Sequence, residues 1–446
     1  MAEIPRYSGP FGVPQAERLL WRAGFGPRRG EAAQLAKLGL DGAVLSLTRP
    51  AGEKWVGPPP RDEKGRRLAP GDAYGHDHLW WLDRMVRTSR PLVERMTLNW
   101  HDWFATSNSG VGSQQLMMAQ NRLLRRFSLG SFRKLLIAIT ANPAMLLWLS
   151  GIDNRKDAPN ENYGRELMEL FTLGEGNGYT ERDVREQARA LTGWTSTWKR
   201  GKGRTDFRFD PKRHDPGMKV IFGKKGTFSW RDSVALTLRH PKHPPFFVEK
   251  LWSYFVPEPP SATTRAGLEA LYRASFEVRP VLEAILRHPA LYTGPRMVKP
   301  PVVYTAGLLR GLGRGVDTRS WVWLSENAGQ RLFYPPNVAG WDDERWLDTN
   351  SFHGRWGIAN TALEKFTLGD KNSKNVKVPN DPEAIVKGAL ALLGNPTIRP
   401  ETRKELLAFA RGSLAGATGW KAEAYPPLVA NAVRQLLAVS PDLQTC

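Results

Sequence analysis

The sequence predicts an all-α fold, a large multi-helix bundle-like domain with a small β-hairpin insertion near residues 205–225. Three observations carry this. Apolar residues recur at steps of three and four along most of the 446 residues, the period of a helix with one buried face. Prolines open several of these runs and glycines close them, an order that suits helix starts and stops. Alternation of the strand kind is confined to two short pieces, 207–209 and 220–222. The hydrophobic fraction of 41% and charged fraction of 24% are globular values, and 17 Trp with 18 Phe supply large rings for a core.

In chain order, 14–24 places Leu19, Leu20 and Trp21 on a first helix, and 28–38 repeats Ala and Leu at helical spacing. Residues 54–75 are rich in Pro, Gly and charge and read as a loop. Helices resume over 76–87, 91–106, 113–129, 132–140 and 143–149, with Pro91 and Pro143 at starts that tolerate a missing N–H. After a polar loop at 151–159 come two strong helices. One runs over 160–173 and stops at Gly174. The other starts at Thr180, with Asp183 placed for a capping box, and runs to Trp194. The second half predicts helices over 229–238, 245–255, 262–274, 281–287, 300–312, 320–332 and 354–367, then a polar linker at 371–380 and three more helices. The domain reading is a helical half over 1–194, a basic loop and hairpin seam over 195–228, and a second helical half over 229–446, packed as one unit.

The seam is where charge concentrates. The whole chain carries 64 Lys and Arg against 44 Asp and Glu, a net charge of +20. Lys199, Arg200, Lys202, Arg204, Arg208, Lys212, Arg213, Lys219, Lys224 and Lys225 face only Asp206, Asp210 and Asp215, which leaves +7 in this short stretch. Such a field favours anionic partners: nucleic acid, acidic glycans or anionic surfaces. Surface ion pairing and solubility are the alternative use of so many arginines. The single cysteine, Cys446, excludes an intrachain disulfide framework and Cys-based metal sites. No stretch approaches the roughly 18 apolar residues of a membrane helix, and the first residues lack a signal peptide's apolar core, so the chain as written is expected in the cytoplasm.

Several signatures fail. The segment 217–224 is only superficially like a phosphate loop, with one residue too many between its glycines and no Ser or Thr after Lys224. Gly311, Gly313 and Gly315 follow no strand and make no dinucleotide fingerprint. There is no nucleophile elbow, no zinc-protease helix and no pair of di-iron helices.

The helix over 160–173 holds the sharpest candidate. On a wheel, Tyr163, Leu167, Leu170 and Phe171 form an apolar arc that Leu173 extends, and Glu166 falls inside it. Glu169 lies just beyond the edge. A buried carboxylate must find a cation, a metal or a strong donor, or else hold its proton. Glu166 is therefore a candidate catalytic acid or metal ligand, with an ion pair to a distant arginine as the structural alternative. Gln187, on the buried face of the next helix, is a candidate partner for it. Arg165 lies four residues from both Glu161 and Glu169, the spacing of a surface ion-pair ladder.

His101, next to Asp102, lies off the core stripe of its helix, as a metal ligand, a proton carrier, or a surface or second-interface residue. His214 and Asp215 precede Pro216 and Gly217 in the seam, where they suit acid–base or metal chemistry, or a plain turn. Tyr334–Trp341 is a stiff loop in which Asn337 binds a ligand or braces the chain. Trp80, Trp81, Trp100, Trp103, Trp194, Trp341 and Trp346 are stacking platforms or core, and Trp80 and Trp81 cannot both face inward.

Taken together, Leu19–Pro27, Met96–Ser107, Asn160–Gly174, Gly178–Thr180, Ala188–Trp194, Arg213–Gly217, Lys250–Trp252 and Pro335–Trp341 resemble the bacterial domain-of-unknown-function family numbered eighteen hundred, over nearly the whole chain. That family carries no established activity. The resemblance implies export, since members often are exported, and extracellular polymer chemistry with a sulfatase-like partner, since a family resembling sulfatases and alkaline phosphatases is often encoded beside it. Where the family commonly carries a second His two residues after the one matching His101, this chain has Trp103, so that metal pair is not carried over.

Three functional expectations follow. One is a hydrolase or transferase acting on an anionic or glycan polymer, with Glu166, His214 and Asp215 catalytic and Arg165, Asn337 and Trp341 holding substrate. A divalent metal there would use His101, Glu166 and Glu169. The second is a non-catalytic protein gripping an anionic polymer or surface through the seam. The third is nucleic-acid binding by the same seam, with affinity that falls steeply with salt.

Overall fold

The structure, a computed structural model, describes residues 3–369 and 376–446. It is predominantly α-helical, with two small two-stranded antiparallel sheets among the described residues. Of the linker expected at 371–380, residues 371–375 lie outside the described residues, and 376–380 run without helix or strand.

The chain divides into two compact units, one of Met1–Arg6, Met96–His288 and Phe333–Trp341, the other of Tyr7–Arg95, Pro289–Leu332 and Asp342–Cys446. The seam at 195–228 lies inside the first. The second unit contains the helix Pro301–Leu312, buried along its whole length. Gly307 of that helix lies against Trp21, so close that a Cβ there would overlap the indole. Its helix His76–Arg87 turns Trp81 fully inward and leaves Trp80 half-buried, as two adjacent helical positions must.

The first unit carries the candidate residues. Its longer helices are the C-terminal part of α1 (Pro91–Trp103), α2 (Gln114–Arg126), α3 (Phe132–Thr140), α4 (Pro143–Trp148), α5 (Asn162–Met168), α6 (Glu181–Ala190), α7 (Trp230–Leu238), α8 (His243–Ser253), α9 (Ala262–Arg273) and α10 (Val278–Arg287). Their core is aromatic: Trp100, Trp103, Phe104, Phe132, Phe247 and Tyr272 are buried, and the Phe247 and Tyr272 rings stack at 3.8 Å. The Thr180 capping box forms as its spacing predicts. Helix α6 ends earlier than expected, and Trp194 opens a strand instead.

Between α6 and α7 stand two hairpins rather than one. Strands β1 (Trp194–Lys199) and β2 (Gly203–Phe209) pair antiparallel, as do β3 (Lys219–Ile221) and β4 (Lys224–Gly226). Carboxylates of α6 accept the outer N–H groups of the second hairpin. Asp183 Oδ1 takes the Phe222 amide at 2.6 Å, and Glu186 Oε2 takes the Val220 amide at 2.8 Å. The sheet edge is thereby satisfied without a third strand. The first hairpin is held at its root, where Trp194 packs on Phe209 and Trp230.

Candidate functional site

The expected helix over 160–173 changes character midway. After α5 the chain widens into a π-helical turn, Glu169–Leu173, ended by Gly174 at φ 94°. Its carbonyls have no continuing helix to receive them, and four side chains fill the gap. Lys250 Nζ donates to the Leu170 oxygen at 2.9 Å, Trp103 Nε1 to Phe171 at 3.0 Å, His243 Nδ1 to Thr172 at 2.9 Å and Asn177 Nδ2 to Leu173 at 2.8 Å. Buried carbonyls demand such donors. His243 must carry its proton on Nδ1, so its Nε2 accepts from the Tyr272 hydroxyl at 2.8 Å. Burial pulls the His243 pKa down to about 4 and that of Lys250 to about 8, the latter against the attraction of Asp102.

Glu166 stands one turn before this widening and is half-buried. It forms no hydrogen bond or ion pair among the described residues. The expected pair with Gln187 does not form: Gln187 donates to Thr237 Oγ1 at 3.0 Å and accepts from the Ser233 hydroxyl, both on α7. Burial, then the neighbouring Glu169 carboxylate, push the Glu166 pKa up, with Arg165 opposing. Arg165 itself is held by Glu161 at 3.2 Å, Glu169 at 3.3 Å and Glu181 at 2.8 Å. The predicted ladder exists, extended by one more acid.

His214 and Asp215 lie elsewhere, on the segment between the two hairpins, where side-chain bonds tie it to the end of α6. Asp215 Oδ2 accepts from Arg189 Nε at 2.7 Å and Oδ1 from the Gly217 amide at 2.7 Å. His214 Nδ1 reaches Thr192 O at 3.1 Å. Burial lowers the His214 pKa, and its Thr192 bond opposes the shift. The buried Lys219 bonds the Asp215 and Gly217 carbonyls at 2.6 and 2.9 Å. No hydrogen bond or ion pair joins either residue to Glu166. This is a latch that fixes the hairpins. Burial raises the Asp215 pKa, but the Arg189 bond, the Gly217 amide and Lys219 together outweigh it and hold the carboxyl below its ordinary range. The sign follows for stability. A depressed folded-state pKa contributes in full above the unfolded value of about 3.9 and is lost as pH falls through the lower folded value. Asp215→Asn is expected to destabilise by about 1–3 kcal/mol at pH 7, and the deficit should shrink toward zero in urea denaturation near pH 2. A deficit independent of pH would contradict the latch.

The remaining candidates lie on α1 and on the loop 334–341. His101 is 1% exposed, not on the surface, and its ring packs on Phe333 and Trp341 at 5.8 and 5.5 Å. Burial pulls its pKa down to about 3, so the imidazole is uncharged near neutrality. Asp102 accepts the Tyr254 hydroxyl at 2.7 Å and the Trp341 amide at 2.9 Å. Gly340, at φ 102°, lies so close to Asp102 that a Cβ there would overlap its carboxylate. Asn337 is exposed and braces its own loop through the Ala339 amide at 2.8 Å. Trp341 is 8% exposed and serves as packing. Among the described residues, no group of three His, Cys, Asp or Glu side chains is placed to hold a metal ion, and His101, Glu166 and Glu169 make no such group.

What faces outward is the basic seam. Arg200, Lys202, Arg204, Arg208, Lys212, Arg213, Lys224 and Lys225 are exposed and none forms an ion pair among the described residues, whereas Lys199 is paired with Asp206 at 2.9 Å and Lys219 is buried. Trp198 stands on β1 directly opposite Arg204 and is 65% exposed. Sequence reading missed Trp198. Its signal was a lone aromatic in a run of Thr, Lys and Arg, where no apolar neighbour could draw it inward.

No curated protein and no solved structure matches the chain. Residues 18–445 match the model of a family described as proteins of unknown function, DUF1800. With nearly its whole length inside that match, the chain belongs to the DUF1800 family.

Proposed function

We propose that this protein binds an anionic polymer through its two basic hairpins. The observation that carries the reading is the set of eight exposed cations on 200–225 without an ion pair among the described residues, together with the exposed ring of Trp198 beside Arg204. Unpaired like charges in one short segment repel one another, and a polyanion relieves that repulsion while releasing its own counterions. An exposed indole adds a face on which a base can stack. The test is fluorescence anisotropy of the full chain with a labelled sulfated oligosaccharide and a labelled single-stranded DNA over a range of salt. The logarithm of the affinity is expected to fall linearly with the logarithm of salt for at least one probe, and the tighter probe names the polymer. Absence of binding to both at low salt would remove the reading.

A second reading, a hydrolase or transferase on such a polymer, is favoured by Glu166 alone. A half-buried carboxyl with no partner and a raised pKa can hold the proton a leaving group needs. It also destabilises. An acid whose folded-state pKa is raised gives most stability below its unfolded value and loses it as pH rises through the folded one. Glu166→Gln is therefore expected to leave stability equal or higher at pH 7, with the difference vanishing below about pH 4. Under this reading the same variant abolishes any turnover of the bound polymer. A stable variant with full turnover would leave Glu166 without a catalytic part.

A further inference from the structure

Where the second hairpin runs into α7, the surface is hollowed into a cavity of about 330 Å³. Arg133 of α3, Arg231 and Arg239 at the two ends of α7, Phe228 and Ile137 are among the residues lining it. We infer that this cavity is a binding site for a sugar carrying a terminal tetrahedral oxyanion, a phosphate or sulfate monoester. The inference rests on the polymer-binding reading only in supposing that such a sugar is the polymer's end group.

The charge arrangement is the first argument. Among the described residues, none of the three arginines forms an ion pair. The one acid in the lining, Asp232, offsets only one of the three charges and forms no ion pair with them among the described residues. Its carboxylate accepts the Ser229 amide at 2.9 Å and the Ser229 hydroxyl at 2.6 Å, which closes the capping box of α7. Arg133 and Arg231 also each stand in the first turn of their helix, where the backbone already presents positive potential and a cation is disfavoured. Three cations around one hollow, two of them at the wrong helix end, are a liability that an oxyanion, the singly charged sulfate ester or the doubly charged phosphate ester, would turn into an attraction.

The second argument is geometry. The Arg231 guanidinium lies 4.6 Å above the Trp230 ring. Stacking fixes the plane of the fork and leaves its N–H edge for bidentate bonds to an oxyanion. The cavity is larger than one oxyanion needs and falls at the lower end of the range of small-molecule sites. Phe228 and Ile137 give the remaining space an apolar wall, suited to the carbon face of a sugar ring. A bounded hollow fits an end group better than a strand passing through.

The test is isothermal titration of the full chain with glucose 6-phosphate, glucose 6-sulfate and inorganic phosphate at low salt. Binding of at least one sugar ester, tighter than inorganic phosphate, is expected, and the preferred ester separates the two sources. Arg133→Ala with Arg239→Ala should weaken it at least tenfold without changing the thermal midpoint. Arg231→Lys, which keeps the charge and loses the fork, should weaken it less than Arg231→Ala. Failure of the wild-type chain to bind either ester, or equal affinity in the double alanine variant, overturns the inference. A chain that binds the labelled polymer but no ester overturns this site alone, whereas one that binds the ester but no polymer overturns the hairpin reading and keeps the site.

Discussion

Trp103→Ala is expected to destabilise the first unit by about 3–5 kcal/mol, the range for removing a large buried ring. The indole is wholly buried and meets Trp100, Phe132 and Phe247 at 5.3 to 5.7 Å. It also does two things that alanine cannot. Its N–H satisfies the Phe171 carbonyl in the π-helical turn, and its face lies 4.9 Å from Lys250 Nζ. Loss of the ring therefore orphans a buried carbonyl and removes a partner of a buried amine, each unfavourable in its own right. Trp103→Phe separates the terms. It keeps most of the packing and loses the hydrogen bond, so about 1–3 kcal/mol is expected. Urea denaturation followed by circular dichroism reads both, taken on the transition that Trp103→Ala moves, because two units need not unfold together. A loss below about 1 kcal/mol for Trp103→Ala would mean that the turn is held by its other three donors. The position where the family resemblance would place a second His is thus occupied by a side chain that builds the core.

The same turn explains how far the sequence could be read. Helix starts were legible at Pro91, Pro143 and Thr180 because caps are local chemistry, and Gly174 marked a stop because the chain there needs a positive φ. The helical wheel for 160–173 was misleading in one respect. It assumed 3.6 residues per turn throughout, while the chain becomes π-helical after Met168, so the face containing Glu166 is only half covered. Gln187 was rightly expected to be buried and wrongly paired, because the choice between Glu166 and the hydroxyls of Ser233 and Thr237 is made by packing of α7 against α6. The first hairpin was hard to see because β1 and β2 carry Thr, Lys and Arg, with little apolar alternation to report a buried face. The cavity was invisible for a simpler reason. Arg133 lies about a hundred residues from Arg231 and Arg239, and only the fold brings them together.

Reversing charge at Lys202, Arg204 and Arg208 to Glu is expected to weaken binding of a single-stranded polyanion by about two orders of magnitude at ~0.1 M salt. Each phosphate contact releases about 0.7 of a counterion, so three lost contacts flatten the slope of log affinity against log salt by about 2. Stability should stay within about 0.5 kcal/mol, because all three side chains are exposed and none is in an ion pair among the described residues. Trp198→Ala isolates the other component. Stacking does not depend on counterions, so its loss should lower affinity by about 1–3 kcal/mol with the salt slope unchanged. The two variants therefore move different observables, slope for the charges and intercept for the ring. If charge reversal leaves both slope and affinity as they were, the polyanion sits elsewhere on the chain. If Trp198→Ala changes the slope, the indole is shaping the hairpin that presents Arg204 rather than stacking on the polymer, since the two residues face each other across the β1–β2 pair.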